Sequence, residues 1–115
     1  LYIADRRDDL IVSGGENVYP AEVESALLEH PGVSECAVVG VPDARWGHRV
    51  VAVIVPSEAG VTVEVLEMHL RARLAGYKVP RAFVFRADPL PRTASGKLQR
   101  HLVRAEQIGR VTTGG

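Results

Sequence analysis

The sequence predicts an α+β domain, in which about three helices flank a small mixed sheet of about three main strands and an N-terminal two-stranded hairpin. Three observations support this fold class. The chain has 115 residues, which is enough for one compact domain. Hydrophobic residues make up 46% of it, as is typical of a globular protein. Segments with helical periodicity also alternate with short apolar runs, in the approximate order ββ-α-β-β-α-β-α.

The first half of the chain begins with two strand-like runs, Leu10-Ile11-Val12 and Asn17-Val18-Tyr19. The glycine pair between them favours a tight turn, so the two runs are predicted to form the hairpin. Pro20 then begins a helix, because the missing N–H of proline costs nothing in a first helical turn. One face of this helix carries Val23, Ala26, Leu27 and His30. Pro31-Gly32 ends it.

The centre of the sheet is predicted from two apolar runs. Val33 to Val41 is nearly continuous in apolar residues at its centre, which is typical of a strand buried on both faces. Pro42-Asp43 is expected to break this strand. The second strand covers Val50 to Val55 and ends at Pro56.

The C-terminal half contains a helix, a strand and a last helix. Thr62 is expected to cap the second helix, which ends at Gly76. Ala82-Phe83-Val84-Phe85 is the third main strand, and the prolines and glycine of Asp88–Gly96 indicate a loop. The last helix is predicted over Leu98–Gln107. The domain therefore covers residues 10–110, and residues 111–115 form a frayed, flexible tail.

Composition argues against several classes of function. Fourteen Lys and Arg residues balance fourteen Asp and Glu residues, whereas nucleic-acid-binding domains usually carry a basic excess. The chain also has only three Tyr, two Phe and one Trp. Its four histidines lack the spacing of metal ligands, so we expect no metal site. No apolar stretch approaches the roughly 18 residues that a transmembrane helix requires.

The single cysteine and the first residue bear on the origin of the chain. Cys36 excludes an internal disulfide, and a free thiol in an apolar run fits a reducing, cytoplasmic setting. The chain does not begin with Met but at Leu1. We therefore expect it to be part of a longer polypeptide.

Lys97 is the first candidate functional residue. It follows Gly96 in a loop that is expected to be flexible, so its ammonium group can reach a phosphate or a carboxylate. The alternative is a solvated surface lysine. The loop is not a phosphate-binding P-loop, because Pro91 stands where that pattern needs glycine and Leu98 where it needs Ser or Thr.

Other candidates lie at predicted turns. The turn at Gly14 and Gly15 lets the backbone approach a ligand closely, but ordinary turns have the same composition. Trp46, between two strands, is either a packing anchor or a surface that stacks on a purine or lines an apolar tunnel. Tyr77 stands among the cations of Tyr77–Arg81, which suits an adenine with phosphates, or it covers the end of the second helix.

Taken together, these motifs resemble one family, the adenylate-forming acyl-CoA synthetases. Asp5–Glu24 resembles the core signature of that family, and Gly32–Asp43 followed by Trp46-Gly47 resembles its next block. Tyr77–Pro80 and Leu90–Leu98 resemble the closing blocks. The resemblance covers about residues 2–104 in family order and spacing, and four motifs in order are highly specific.

The resemblance implies that the chain is the small C-terminal lid of a two-domain ligase, inactive without a large N-terminal domain that binds ATP and a carboxylic acid. The carboxylate attacks the α-phosphate of ATP to give an acyl-adenylate and pyrophosphate. The thiol of coenzyme A then displaces AMP. ATP and coenzyme A are thus substrates, and the Mg²⁺ expected with ATP is assigned to the N-terminal domain. The residue pattern from Gly14 to Pro20 is closer to that of fatty and aryl acyl-CoA synthetases than to that of peptide-synthetase modules.

Individual roles are carried over from the family by position. Lys97 matches the adenylation lysine, Asp8 the hinge residue within residues 1–9, and Arg6 an arginine near the ribose of the nucleotide. Gly14 and Gly15 match a loop beside the pantetheine tunnel, which Glu16 helps to seat. The resemblance places the remaining coenzyme A contacts, including a stacking Tyr77 and two phosphate-binding cations, at Trp46, Tyr77, Lys78 and Arg81.

Two further expectations concern partners. The segment Pro91–Lys97 resembles relatives in which the catalytic lysine is acetylated, which predicts a lysine acetyltransferase and a deacetylase as partners. The alternative to a ligase lid is a stand-alone module that binds a nucleotide or coenzyme A, or docks on a protein, without catalysis. A continuous upstream coding region favours the lid, whereas tight nucleotide binding by the isolated domain favours the module.

Overall fold

The computed structural model describes residues 10–114, with side chains described up to residue 109. Its elements confirm the predicted α+β class and order. They are β1 (Ile11–Ser13), β2 (Glu16–Val18), α1 (Pro20–Leu28), β3 (Val33–Asp43), β4 (Gly47–Pro56), α2 (Val63–Arg71), a short 3-10 helix (Gly76–Lys78), β5 (Ala82–Phe85) and α3 (Arg100–Gly114). None of the helices in this range is long and apolar enough to cross a membrane.

The main sheet has the strand order β3-β4-β5. β3 and β4 pair antiparallel from Val33↔Pro56 to Asp43↔Gly47, and β4 and β5 pair parallel, so the sheet is mixed as predicted. The predicted break at Pro42-Asp43 is wrong, because both residues lie within β3 and Pro42 faces His48. β3 is an edge strand, where a missing proline N–H does not remove a bond from a central ladder. The hairpin is therefore longer than the apolar run that predicts it.

Side chains of β3 and β4 alternate between two core layers on opposite faces of the sheet. The α1–α2 layer contains residues from both those helices and from the β1–β2 hairpin: Ile11, Val18, Val23, Leu27, Val38, Ile54, Leu66 and Leu70. The α3 layer is smaller and includes Val39, Val41, Val51, Val53, Leu90 and Val103. Both faces of β3 are thus covered, which confirms the prediction of a strand buried on both faces.

Local sequence signals set the helix starts. Pro20 occupies the first turn of α1. Thr62 caps α2 by accepting a hydrogen bond of 3.3 Å from the backbone N–H of Val65. Helix ends are less well predicted: α1 ends at Leu28, before Pro31, and α3 starts at Arg100 and continues past Gln107 to Gly114, into the segment predicted as a tail. Helix ends depend on packing that local composition does not encode.

A buried ion pair connects the two layers around the edge of β3. Glu24 of α1 is only 7% exposed, and its Oε2 accepts hydrogen bonds from the backbone N–H of Val38 at 2.8 Å and from Nε of Arg100 at 2.7 Å. Arg100 begins α3, so this carboxylate holds α1, β3 and α3 together. It also satisfies a backbone N–H that β3, as an edge strand, leaves unpaired.

Candidate functional site

The β1–β2 turn is built on two glycines with left-handed backbones. Gly14 has φ of 59° and Gly15 has φ of 84°, a region that disfavours other residues. The N–H of Gly14 donates a hydrogen bond of 2.9 Å to the carbonyl oxygen of Trp46. A Cβ on Gly14 would lie 2.8 Å from Cε3 of Trp46, closer than carbon atoms approach without displacement. Gly14 therefore lets the turn lie directly against the indole.

Trp46 is itself fixed by the turn between β3 and β4. Oδ1 of Asp43 accepts hydrogen bonds from the backbone N–H groups of Arg45 at 2.8 Å and Trp46 at 3.1 Å. These two bonds hold the pKa of Asp43 below its ordinary value, because they stabilise the carboxylate. Gly47 follows with φ of 79°. The turn thus presents the indole toward the glycine pair.

Arg81 covers one face of that indole. Its guanidinium carbon lies 3.7 Å from the centre of the Trp46 ring, a close cation–π contact. The backbone N–H of Arg81 donates 2.9 Å to the carbonyl oxygen of Val50, which fixes the chain just before β5. Arg45 is more distant, at 5.9 Å from the ring. The interpretation of Trp46 as a packing anchor explains these contacts, and a direct contact between Trp46 and coenzyme A stays a prediction.

Tyr77 and Lys78 lie on the short 3-10 helix, which contacts β2. Nζ of Lys78 lies 3.0 Å from the Glu22 carboxylate of α1 and 5.7 Å from the centre of the Tyr77 ring. The hydrogen bond to Glu22 raises the pKa of Lys78 above its ordinary value. Tyr77 is 43% exposed, so its ring is open to a planar ligand. Tyr77 therefore offers an aromatic surface beside the Lys78 ammonium group, which the Glu22 carboxylate holds in place and whose charge it offsets.

Lys97 directly follows the predicted loop, which lies between β5 and α3 as expected and which one short bridge closes into a small hairpin. Arg92 and Leu98 form an isolated antiparallel bridge, and the N–H of Thr93 donates 2.8 Å to the carbonyl oxygen of Lys97. In return, the N–H of Lys97 donates 3.0 Å to Oγ1 of Thr93. Gly96 closes the turn with φ of 92°. The Lys97 side chain is exposed at the end of this hairpin.

The structure places the predicted site residues in two groups. The β1–β2 turn packs through Ile11 and Val18 on the α1–α2 layer, together with Val79 beside Tyr77 and Lys78. The Lys97 hairpin instead packs through Leu90 and Leu98 on the α3 layer, across the sheet. Gly14 and Arg81 therefore both contact Trp46, and Gly15 and Glu16 follow Gly14 directly in the chain. Lys97 belongs to the hairpin that packs on the opposite layer. The predicted contacts of Arg6 and the hinge at Asp8 lie outside the described residues.

Three charged residues make long-range contacts that their sequence patterns do not indicate. Glu35 and Arg92 lie 3.6 Å apart between Oε1 and Nη2. Arg104 donates 2.8 Å from Nε to the carbonyl oxygen of Gly40. Neither contact could be predicted from neighbouring residues in the sequence, because the two partners of each contact are far apart in the chain.

A pocket of about 370 Å³ opens along the outer edge of β3. Its lining includes Gly40, His48, Arg100, His101 and Arg104, and none of the predicted site residues. Within residues 10–114, no three His, Cys, Asp or Glu side chains are grouped as a metal site would require.

Comparison with known proteins connects this arrangement to a family. Residues 22–97 match the family model described as AMP-binding enzyme C-terminal domain. The feruloyl-CoA synthase of an Amycolatopsis species is 52% identical over 104 residues, which are 90% of this chain and 21% of that protein. This chain therefore spans about a fifth of the length of that relative.

Two solved structures share the fold closely. A fatty acyl-CoA synthetase of Mycobacterium tuberculosis has a TM-score of 0.88 and 42% identity, over 95% of this chain and 22% of that one. The o-succinylbenzoate-CoA synthetase of Bacillus subtilis, solved with its acyl-adenylate intermediate, has a TM-score of 0.83 and 48% identity. Its match covers 90% of this chain and 21% of that one.

Proposed function

Because this chain belongs to the family of AMP-binding enzyme C-terminal domains, we propose that it is the mobile lid of an AMP-forming acyl-CoA ligase. One observation supports the proposal: the candidate residues of this single small domain fall into two groups, which pack with the two core layers on opposite faces of the sheet. Lys97 projects from a hairpin on the α3 layer, and the Gly14–Trp46–Arg81 contact lies with the α1–α2 layer. A two-step reaction that uses one lid twice requires two such groups of residues.

In the first half-reaction, Lys97 serves the transfer of AMP to the carboxylic acid. Two anions, the carboxylate and the α-phosphate of ATP, must approach each other, and charge builds on the transferring phosphoryl group. An ammonium group held near these oxygens stabilises that charge without exchanging a proton. The exposed position of Lys97 at the end of the hairpin lets it enter the active site of another domain.

In the second half-reaction, the β1–β2 turn borders the path of the pantetheine arm. Gly14 lets the turn lie against Trp46, whereas nothing lies within 4 Å of a Cβ at Gly15, which leaves room for a thin chain beside the turn. Glu16 helps to seat the turn. Arg81, beside Trp46, and Lys78, beside Tyr77, supply cations for the phosphates of coenzyme A. The exposed ring of Tyr77 offers a surface on which adenine stacks.

The same proposal assigns roles outside residues 10–114. Asp8 is the hinge within residues 1–9, where a change of backbone dihedral angles rotates the whole lid between its two surfaces. Arg6 lies near the ribose of the nucleotide. The N-terminal domain of the same chain binds ATP, the acid and the Mg²⁺ that accompanies ATP. The acid is a fatty or aryl carboxylic acid, in line with the names of the relatives.

Lys97 is also a candidate for regulation by acetylation. Its side chain is exposed on a turn, where a lysine acetyltransferase can reach it. Acetylation would remove the positive charge that the first half-reaction needs, and a deacetylase would restore it. Mass spectrometry after incubation with an acetyltransferase checks this, and an unmodified Lys97 counts against it.

The experiment that tests the proposal separates the two half-reactions in the full-length protein that carries this domain. Lys97→Ala is expected to lower ATP–pyrophosphate exchange by about 10²- to 10³-fold, the usual cost of removing one electrostatic stabiliser. Thioester formation from a supplied acyl-adenylate is expected to persist. Unchanged exchange would refute the proposal and leave a binding module without catalysis as the better interpretation.

A further inference from the structure

The carboxylate of Glu35 reaches from β3 to the base of the hairpin that carries Lys97. Its Oε1 accepts a hydrogen bond of 3.3 Å from the backbone N–H of Leu90, and the same oxygen lies 3.6 Å from Nη2 of Arg92. Leu90 itself is buried in the α3 layer. Glu35 thus joins the first strand of the hairpin to the edge strand of the main sheet.

Arg92 carries this connection to the turn. Its Nη1 donates a hydrogen bond of 3.0 Å to the carbonyl oxygen of Gly96, the residue directly before Lys97. The guanidinium group therefore spans from the Glu35 carboxylate to the peptide bond that leads into Lys97. Two cations, Arg92 and Lys97, lie on this hairpin, and Glu35 offsets the charge of the first.

The turn of the Lys97 hairpin depends on the connection through Glu35 and Arg92, because its other contacts are local. Leu90 and Leu98 hold the base of the hairpin in the core, whereas Thr93 to Gly96 are exposed and bond only with one another and with Lys97 or Arg92 in the contacts described. Gly96 also has the widest conformational freedom of any residue type. Without Arg92 on its carbonyl group, the peptide before Lys97 has fewer restraints.

We infer that Glu35 and Arg92 are positioning residues for Lys97 in the adenylation half-reaction. This inference rests on the proposed function. The flexible side chain of lysine reaches a reacting phosphate only from a correctly placed backbone, and a misplacement of about 1 Å can cost about 10²-fold in rate. The surface that serves coenzyme A lies across the sheet, so the second half-reaction does not depend on this pair.

The test compares Glu35→Gln with Glu29→Gln in the full-length protein. Glu29 pairs with Arg73 at 2.9 Å on the surface of the other layer, so its variant removes an equivalent charge away from Lys97. Glu35→Gln keeps an oxygen for the N–H of Leu90 but loses the charge facing Arg92. We expect its kcat for ATP–pyrophosphate exchange to fall about tenfold, with KM for ATP within about twofold. Thioester formation from a supplied acyl-adenylate, and both half-reactions of Glu29→Gln, should stay within about twofold.

Three further variants separate positioning from a loss of folding. Arg92→Met should reproduce the loss in exchange, and combining it with Glu35→Gln should add little, because both remove the same connection. Glu35→Asp, which keeps the charge, should restore part of the rate. The inference is overturned if Glu35→Gln leaves exchange unchanged or lowers both half-reactions equally.

The Lys97→Ala variant, measured in the same series, distinguishes this failure from failure of the proposed function. If Lys97→Ala abolishes exchange while Glu35→Gln does not reduce it, only the positioning role is wrong. If Lys97→Ala leaves exchange intact, the proposed function fails, and the positioning role fails with it.

Discussion

The N–H of Gly14 donates a hydrogen bond of 2.9 Å to the carbonyl oxygen of Trp46, and the indole of Trp46 lies where a side chain at position 14 would begin. The β1–β2 turn and the β3–β4 turn are thereby joined at one point. Because Arg81 stacks on the same indole, the three residues form one unit. Its integrity can be tested separately from that of the Lys97 hairpin.

Gly14→Ala is expected to be more damaging than Gly15→Ala. Both positions have a left-handed backbone, which costs about 1–2 kcal/mol for a residue with a Cβ. At Gly14 the new methyl group would also meet Cε3 of Trp46 at 2.8 Å, whereas nothing lies within 4 Å of a Cβ at Gly15. Urea unfolding measures the loss of stability in each variant, and thioester formation measures the loss of activity. Equal losses for both variants would show that the contact with Trp46 is unimportant.

Arg81→Met is expected to weaken the use of coenzyme A without affecting adenylation. Loss of a charged hydrogen-bond donor to a phosphate costs about 1.5–3 kcal/mol, so KM for coenzyme A should rise by roughly tenfold or more. Arg45→Met is the matched control, because Arg45 lies 5.9 Å from the indole and should change KM by less than about twofold. Steady-state kinetics and ATP–pyrophosphate exchange check both variants. A loss of exchange in Arg81→Met would contradict the assignment.

Glu24→Ala is expected to destabilise the domain by about 3–5 kcal/mol, because it removes a buried carboxylate that accepts hydrogen bonds from the backbone N–H of Val38 and from Nε of Arg100. Glu29→Ala removes a pair at the surface and should cost less than about 1 kcal/mol. Urea unfolding of the 115-residue chain compares the two. Similar losses would mean that the pair between α1 and α3 is not a main source of stability.

The buried thiol of Cys36 is expected to lower the stability of the domain at alkaline pH. Burial, and next the charge of Glu24, raise the pKa of its thiol from 9.0 to about 12. Below pH 9 the thiol is protonated in both the folded and the unfolded chain, so it contributes no pH dependence. Above pH 9 the unfolded chain loses the proton first, and stability falls by up to about 1.4 kcal/mol per pH unit toward pH 12. Cys36→Ala should remove this part of the slope in urea unfolding at pH 8 to about 10.5, and an unchanged slope would contradict it.

Asp8→Pro is expected to trap the lid in one of its two poses, because proline fixes φ near −65°. One half-reaction should then continue while the other falls by about tenfold or more. Asp8→Ala, which removes the carboxylate but leaves φ free, should retain both. Exchange and thioester assays measure these rates, and normal rates in both assays for Asp8→Pro would refute the hinge.

Much of the fold was predictable because it depends on local periodicity. The third main strand, Ala82–Phe85, and the cap at Thr62 agree with the structure, since a short apolar run and capping chemistry act over a few neighbouring residues. The same reasoning failed at Pro42, because tolerance for proline depends on whether a strand lies at a sheet edge. The loop predicted over Asp88–Gly96 does lie between β5 and α3, but the hydrogen bonds between Thr93 and Lys97 and from Arg92 to Gly96 were not predictable, because composition does not reveal them.

The sequence by itself determined the order of helices and strands, the two-sided burial of β3 and the family motifs that single out Lys97 and the glycine pair. Only the tertiary structure decided which of these residues meet. Trp46 lies against Gly14 and Arg81, and Glu35 lies against Arg92. The hairpin that carries Lys97 packs on the opposite layer. The physical reason is range: periodicity and turn chemistry are local, whereas these contacts arise only after the β3–β4 hairpin and the helices pack on opposite faces of the sheet.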